Sequence, residues 1–338
     1  MATSWRNDRE AFVLARRSCP EGACAAVFKT ADAGATWTEL SLPNADVNTA
    51  PQGGGSSCTR TPCVRSIAVS ATDDAVYLFG PSLLVSDDAG QSWRTEDGKT
   101  VIDLATTNDG PLRVSTGCDL KPTTQLCPDQ VERRDATTGA WASSPTPELF
   151  GTSTRLSANA LTAAVIGHDR LGNRIAIISS DAGRSWTDLP DRCPAAADGL
   201  TEATAAISVA NDKVVAVLCG TGLGARPTAG SRNDVVLSHD GGVTFGSPHE
   251  LPPIGSPPQQ GATQIGAQAT HLAVIQNGAV QVSNNDGAVW TTPLAVNVDA
   301  SSDASLVRVG SVGFAATLNG TLYVSTDGGM TWTARTPG

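Results

Sequence analysis

The 338-residue chain has few aromatic residues, few charged residues and no long apolar run. Aromatic residues make up 4% and charged residues 17% of the sequence, with only 2 Met and 2 Tyr. A membrane-spanning helix needs about 18 consecutive apolar residues, and no such run occurs. The first ten residues also lack the apolar stretch of a secretory signal, so the sequence is expected to represent a mature or trimmed chain.

Basic residues are scarce as well. The chain has 23 Lys and Arg against 33 Asp and Glu, a formal net charge of -10, and the basic residues are dispersed. The sequence therefore predicts neither a nucleic-acid partner nor binding to an anionic membrane surface. Glycine (34) and proline (20) are plentiful, and 40% of residues are hydrophobic, which is enough for a core. This balance indicates many short strands joined by tight turns rather than long helices.

An eight-residue motif recurs along the chain as Ser/Thr-x-Asp-x-Gly-x-Ser/Thr-Trp. Full copies have their acidic residue at Asp32, Asp88, Asp181 and Asp327, and a copy ending in Phe has Asp240. A sixth copy has Asn285 in place of Asp, and a seventh, at Asp135, has a longer gap before its Gly. The closing aromatic residues lie 42 to 59 residues apart, at Trp37, Trp93, Trp141, Trp186, Phe245, Trp290 and Trp332. This spacing predicts seven structural units.

Each octet is typical of a hairpin turn that opens a new strand. The hydroxyl and carboxylate accept backbone N–H bonds, the Gly takes a positive φ, and the aromatic side chain packs between sheets. Two further β-rich runs precede each turn, so each unit is predicted to be a four-stranded antiparallel meander. Closing such units into a ring buries both sheet faces. The predicted fold is all-β, a seven-bladed β-propeller that spans residues 1–338 as one domain.

The octet resembles the Asp box, or bacterial neuraminidase repeat, of sialidases, sortilin-type receptors, oligoxyloglucan-hydrolysing enzymes and photosystem assembly factors. The resemblance extends over nearly the whole chain and implies the propeller fold. Because enzymes and non-enzymes share the motif, it assigns no activity. We interpret Asp32, Asp88, Asp181, Asp240 and Asp327 as structural turn residues rather than as catalytic or metal-binding groups.

The connections divide the propeller into two faces. In an antiparallel meander with strands A to D, the A–B and C–D turns share one end, so the Asp boxes mark the bottom face. Bottom turns are short, whereas top connections are long, at 41–65, 117–129, 142–155, 219–233 and 246–263. Long loops on a rigid scaffold commonly carry binding sites, although sequence drift also lengthens loops. The sequence therefore predicts a top-face binding site.

The eight cysteines all fall in or beside top connections. Zinc-site spacing is absent, and disulfides are preferred over four pairs of buried free thiols. Among 105 possible connectivities, only pairing of neighbours keeps each bridge within one blade or crossing. The predicted pairs are Cys19–Cys24, Cys58–Cys63, Cys118–Cys127 and Cys193–Cys219. Four bridges indicate an oxidising compartment, so the chain is expected to be secreted, periplasmic or tethered outside the membrane.

Candidate ligand-binding residues are the charged side chains assigned to the top face: Arg60, Arg155, His168, Asp169, Arg170, Arg226 and Arg232. The adjacent His168 and Asp169 could serve as acid–base groups or form an ordinary solvated loop. The resemblance to sialidases would require an arginine trio and a tyrosine nucleophile, and neither Tyr77 nor Tyr323 lies in a suitable loop. No P-loop, dinucleotide fingerprint, Ser-His-Asp pattern or EF-hand occurs, so no cofactor and no metal are predicted.

Two functions follow from these observations. The first is a non-enzymatic, extracytoplasmic propeller that binds a protein or glycan ligand through its disulfide-linked top loops. The alternative is a glycoside hydrolase that uses two top-face carboxylates. The acids that could supply them are Asp119, Asp129, Glu148, Asp169, Asp191, Asp198, Glu202, Glu250 and Asp303. A single propeller and the absence of Trp from the long top loops favour the first function.

Overall fold

The computed structural model describes residues 1–19, 22–48, 57–58, 61–96, 98–116, 128–135, 137–190, 192–193, 203–220, 233–254, 264–296 and 304–337. Within these ranges all regular structure is β-strand, and none of the described residues forms a helix. No helix that could span a membrane is found among them. The strands pair into several sheets, of which four contain four strands each. The all-β fold class predicted from composition and turn residues is therefore confirmed.

The described strands fall into seven antiparallel meanders of four consecutive strands, numbered here in chain order. Meander 1 contains β1 (Ala2–Trp5), β2 (Ala11–Cys19), β3 (Gly22–Thr30) and β4 (Thr38–Leu40). Two short strands, β5 (Asp46–Val47) and β6 (Cys63–Val64), follow it and pair in parallel. Meander 2 contains β7 (Ser66–Val69), β8 (Val76–Phe79), β9 (Leu84–Ser86) and β10 (Arg94–Thr95). Meander 3 contains β11 (Thr100–Thr107), β12 (Gly110–Thr116), β13 (Pro128–Arg134) and β14 (Trp141–Ser143).

The remaining meanders repeat this order. Meander 4 contains β15 (Leu149–Asn159), β16 (Thr162–His168), β17 (Arg174–Ser179) and β18 (Thr187–Asp188). Meander 5 contains β19 (Ala203–Val209), β20 (Val215–Gly220), β21 (Asp234–Ser238) and β22 (His249–Glu250). Meander 6 contains β23 (Gln264–Ala267), β24 (Leu272–Gln276), β25 (Ala279–Ser283) and β26 (Thr291–Ala295). Meander 7 contains β27 (Ser305–Val309), β28 (Gly313–Leu318), β29 (Thr321–Ser325) and β30 (Thr333–Arg335).

The first strands of the meanders are the inner strands of the fold. Each contacts the inner strand of the next meander, and β27 of meander 7 contacts β1 of meander 1. Side chains join some neighbouring inner strands: Val69 N donates to Ser4 Oγ (3.1 Å), and Val209 N donates to Ser157 Oγ (2.9 Å). Four-stranded meanders around a common centre form a β-propeller.

The hydrophobic core is divided among the interfaces between successive meanders. Phe12, Leu14 and Val76 belong to a cluster that joins meanders 1 and 2. The interface that closes the series contains Val13 of meander 1 and Val309 and Leu322 of meander 7. Both faces of each sheet are thus covered by a neighbour, which explains the continuous apolar runs of the middle strands.

Hydrogen bonds place the Asp boxes and the A–B turns at the same end of the meanders. Ala33 N donates to Arg9 O (2.9 Å), and Ala182 N donates to Leu161 O (2.7 Å), each bond linking a box to the A–B turn of its own meander. This end is the bottom face. The opposite end, where B–C turns and crossings lie, is the top face.

Two details differ from the sequence predictions. The crossing predicted over 142–155 is shorter, because β15 begins at Leu149 and continues the pairing with β16 past Arg155. All seven closing aromatic side chains are half-buried, whereas packing between sheets would bury them fully. Each covers the outer edge of an interface between meanders, where one side of the aromatic ring remains in contact with solvent.

Candidate functional site

The Asp-box turn is held by four short-range hydrogen bonds. In meander 2, Ser86 Oγ donates to Asp88 Oδ1 (2.7 Å) and accepts from Gly90 N (2.8 Å). Asp88 Oδ1 also accepts from Ser92 N (2.8 Å), and Asp88 Oδ2 accepts from Ser92 Oγ (2.6 Å). Each bond joins residues no more than four positions apart, so the turn forms from local sequence alone.

The same bonds recur around Asp32, Asp181, Asp240 and Asp327. The hydroxyl bond from Thr36 is the main reason that the pKa of Asp32 falls from 3.8 to about 2, and Thr244 does the same for Asp240. These carboxylates are charged and already bonded within their turns. The geometry supports a structural role for them.

The two divergent copies keep part of this geometry. Asn285 Oδ1 accepts from Ser283 Oγ and from Val289 N, both at 2.9 Å, but Val289 has no hydroxyl for the fourth bond. Asp135 instead accepts from Thr137 N (2.9 Å) and Thr138 N (2.7 Å), a different turn that leads into Trp141. The longer Asp-to-Gly gap therefore changes the turn while still opening the fourth strand of meander 3.

Three of the predicted disulfides lie in the described part of the chain, and all three form. Cys19–Cys24 links the two strands of the B–C hairpin of meander 1. Cys58–Cys63 lies in the crossing that enters meander 2, and Cys193–Cys219 links the crossing after meander 4 to β20. Each bridge lies at the top face, whereas the fourth predicted pair, Cys118–Cys127, lies outside the described residues.

The B–C hairpin of meander 4 carries His168, Asp169 and Arg170. Asp169 Oδ1 accepts from Leu171 N and Asn173 N, both at 2.8 Å, so this carboxylate organises the hairpin tip. The bond from the Asn173 side chain is the main cause of its lowered pKa. Burial lowers the pKa of His168, and Arg174 acts in the same direction. The tip beyond it is open, with Leu171 86% exposed and Arg170 exposed.

Arg155 was predicted in a top loop, but it lies on inner strand β15. Its charge interacts with Asp103 of β11 and with Arg65, which precedes β7 at the top face. Asp103 Oδ2 accepts from Leu156 N (2.9 Å), and burial raises the pKa of Asp103. These three side chains, here called the Arg155 cluster, come from meanders 2, 3 and 4.

Arg308 occupies the centre of the ring near the bottom face. It extends from β27 and donates to Ala210 O (2.8 Å) and Ala158 O (3.3 Å), which belong to meanders on the far side of the ring. Burial lowers its pKa to about 10. Arg65, Asp103 and Arg308 were not among the functional residues predicted from the sequence. For Asp103 and Arg308, the available signal was a single charged residue within a run of strand-forming residues.

Among the acids that the structure describes, Asp129 has a pKa in the range suited to proton transfer. Asp129, at the top end of β13, is 4% exposed, and burial raises its pKa to about 7. Thr154 Oγ1 donates to Asp129 Oδ2 at 2.6 Å. By contrast, burial raises the pKa of Tyr77 to about 12, which opposes a nucleophilic role.

The structure thus separates the predicted ligand-binding residues. His168, Asp169 and Arg170 share one top hairpin, whereas Arg155 lies with Asp103 and Arg65. Arg60, Arg226 and Arg232 lie outside the described residues. Among the residues that are described, no group of three or more His, Cys, Asp or Glu side chains could hold a metal ion.

Comparisons with known proteins agree with the repeat. Residues 323–334 match the family model for the BNR/Asp-box repeat. A search of curated protein sequences finds no match. Many solved structures are similar to the chain. One is a GH74 enzyme from Niastella koreensis, at 13% identity and a TM-score of 0.38, with 98% of this chain and 71% of that chain covered. Two others are the GH74 xyloglucanase from Xanthomonas campestris (14% identity, TM-score 0.39, 98% and 72% covered) and YCF48 bound to a D1 peptide (15% identity, TM-score 0.37, 99% and 79% covered). Similarity at this level assigns neither hydrolase activity nor peptide binding to the chain.

Proposed function

We propose that this Asp-box β-propeller is an extracytoplasmic, non-enzymatic binding protein whose top face holds a protein or glycan ligand. The observation that carries the proposal is the position of the disulfides: all three described bridges lie at the top face, opposite the Asp boxes. Bridged loops lose less entropy on binding, which favours a preorganised surface. Disulfides also fit an oxidising compartment.

The top face also offers groups that its own fold leaves exposed. Arg170 and Leu171 project at the tip of the meander 4 hairpin, and Leu171 is 86% exposed. Bottom-face carboxylates such as Asp88 are instead used by their turns. Arginine is one of the residues that most often anchor protein interfaces.

The architecture proposed with this function is a single domain over residues 1–338 with seven blades, one for each meander. Its support is the closed series of contacts between inner strands and the shared core of meanders 7 and 1. An experimental structure with a different number of blades would contradict it.

The test compares matched charge reversals at the two faces. The oxidised protein is immobilised and exposed to the extracytoplasmic fraction of the producing cells, and retained proteins and glycans are quantified by mass spectrometry. Arg170→Glu should reduce retention of the ligand at least tenfold. Arg184→Glu, an exposed change at a bottom-face Asp box, should leave it unchanged. A ligand lost with Arg184→Glu and kept with Arg170→Glu would place binding at the bottom face and overturn the proposal.

The second candidate function is glycoside hydrolysis, and Asp129 is the observation that favours it. A carboxyl group with a pKa of about 7 can act as a general acid near neutral pH. Release of reducing sugar from a panel of soluble glycans would support this function if Asp129→Asn abolished it. Absence of activity across the panel, with ligand retention intact, would exclude hydrolysis of these glycans and support binding as the function.

A further inference from the structure

Meander 1 differs from the other meanders in how far its second strand extends beyond its first. β1 pairs with β2 only from Ala11 to Leu14, so the upper part of β2, Ala15–Cys19, continues past β1 at the top face. In each of the other six meanders the first strand pairs up to the last residue of the second strand or the one before it. Within the described ranges, no strand pairs with Ala15–Cys19 on the side that β1 leaves open.

The hydrogen bonds of β3 show which backbone groups of β2 face this open side. Ala25 N donates to Ala45 O (2.8 Å), so the peptide groups of Ala25 point away from β2. Arg16 lies directly opposite Ala25, and opposed residues of an antiparallel pair face each other or face apart together. The N–H and C=O of Arg16, and by alternation those of Ser18, therefore point to the open side. An edge of this kind is a template for another strand.

This edge, Arg16–Ser18, is here called the β2 edge, and it is both exposed and held in place. The side chains of all three residues are exposed. On its other side β2 stays paired with β3 up to Cys19, and the Cys19–Cys24 disulfide joins the two strands at the same end. A strand that is already ordered loses little conformational entropy when a ligand pairs with it.

The side chains along the β2 edge are cationic. Arg16 makes no hydrogen bond or ion pair with the described residues. Arg17 Nη1 lies 2.6 Å from Glu39 Oε1, but the two side chains are 57% and 45% exposed, so solvent weakens this pair. Opposite charges on neighbouring strands stabilise their pairing, and like charges destabilise it. Acidic residues therefore suit an added strand. A second copy of the chain does not, because antiparallel pairing of two such edges through Arg16 and Ser18 would place Arg17 opposite Arg17.

We propose that the β2 edge binds an extended acidic segment of a partner protein, which adds to meander 1 as a further strand beside β2. The backbone groups of Arg16 and Ser18 would supply the main-chain hydrogen bonds, and the two arginine side chains would select acidic residues. This inference rests on the proposed function, because it names the kind of ligand that the top face holds.

The first test uses peptides, with binding to the oxidised protein followed by fluorescence anisotropy. The probe is fluorescein-labelled Thr-Val-Glu-Glu-Val-Thr, and the charge control has Lys-Lys in place of Glu-Glu. The probe should bind saturably, and the control should bind at least about tenfold more weakly. Two further versions carry N-methyl groups on alternate residues in opposite phase. Because only every second N–H of a strand faces its neighbour, one version should lose binding and the other should keep it.

The second test changes the protein. Ser18→Pro removes an N–H from the open side but no bond to β3, and proline is tolerated on strand edges. It should weaken binding of the acidic peptide about tenfold, and Arg16→Glu should do the same. Arg184→Glu, the exposed charge reversal at the bottom face, is the control and should leave peptide binding unchanged. Circular dichroism and the melting temperature verify that each variant is folded.

Three results would overturn the inference: no saturable binding of the acidic peptide, equal binding of the two N-methylated versions, or unchanged binding by folded Ser18→Pro. Dimerisation through this edge that the peptide does not compete away would identify a second copy as the occupant and also overturn it. Retention of a ligand from the extracytoplasmic fraction that Arg170→Glu abolishes and Ser18→Pro leaves intact would refute the β2 edge alone. The proposed top-face function would stand in that case.

Discussion

The top and bottom faces of this propeller close their hairpins in different ways. Bottom turns use the same side-chain bonds in almost every meander, and the partners lie within four residues, as around Asp88 and Asp327. Top connections have no shared motif, and disulfides with separations from 5 to 26 residues hold several of them. A turn that satisfies itself locally can be repeated without reference to its neighbours, whereas loops that differ between meanders can acquire individual binding roles.

The disulfide of longest reach should make the largest contribution at the top face. In the chain-entropy account, removing Cys193–Cys219 by Cys193→Ala/Cys219→Ala, with its separation of 26 residues, should lower the free energy of unfolding by about 3.5 kcal/mol. The matched removal of Cys19–Cys24, with a separation of 5, should cost about 2 kcal/mol. Urea unfolding of both variants measures the difference. Equal losses would show that loop entropy does not govern stability at this face.

Meander 7 has one glycine with a positive φ at each face, so the two faces can be compared by the same substitution. Gly329, in the Asp box, has a φ of +87°, and an added Cβ would lie 2.5 Å from Val282 Cγ1 of meander 6. Gly320, in the top turn, has a φ of +74° and no atom within 4 Å. Gly329→Ala should cost about 3 kcal/mol, and Gly320→Ala about 1 kcal/mol, because only the former adds a clash to the backbone cost. Calorimetric melting would test this. Similar costs would mean that the interface between meanders 6 and 7 can rearrange to accommodate the added methyl group.

Two turn-organising aspartates extend the comparison to binding. Asp181→Ala removes the acceptor of a bottom turn, and Asp169→Ala removes that of the top hairpin. By analogy with lost helix caps, Asp181→Ala should cost on the order of 1 kcal/mol of stability. Asp169→Ala should also lower the melting temperature. Only Asp169→Ala should also weaken ligand retention by the folded protein. Loss of retention in folded Asp181→Ala would reverse the assignment of the faces.

The Asp boxes should give the bottom face a specific acid sensitivity. The pKa of Asp88 falls from 3.8 to about 2 in the fold, chiefly because of the Ser92 hydroxyl. Since the folded pKa lies below the unfolded one, the contribution is present above about pH 4 and is lost as the pH falls towards 2. The melting-temperature difference between the wild type and Asp88→Asn should therefore shrink over this window. The difference for Asn285→Ala, which removes no charge, should stay constant, and a parallel loss would point to another group.

The smallest effect is expected from a substitution that completes the Asp box of meander 6. Val289 is 61% exposed, so Val289→Thr loses little buried apolar surface and adds the hydroxyl that the other boxes use. The new bond to the Asn285 side chain should raise stability by about 0.5 kcal/mol. Chemical denaturation at neutral pH would measure it. An unchanged midpoint would show that the fourth bond contributes nothing at an exposed turn.

Where sequence reasoning succeeded, the interactions were local. The octet predicted the bonds around Asp32, Asp181 and Asp240 because a hydroxyl, a carboxylate and a glycine within a few residues determine the turn. Neighbour pairing likewise predicted Cys19–Cys24 and Cys193–Cys219. The prediction for Arg155 was wrong because the end of a crossing and the start of an inner strand have similar compositions. Only the pairing of β15 with β16 shows that Arg155 belongs to the strand.

The sequence by itself determined the repeating turn, the meander and the assignment of opposite faces to Asp boxes and cysteines. Only the tertiary structure decided which side chains meet from different meanders. Arg308 reaches Ala158, 150 residues away, and Asp286 meets His239 across an interface. Such contacts depend on how sheets stack around the ring, and no spacing along the chain encodes that distance.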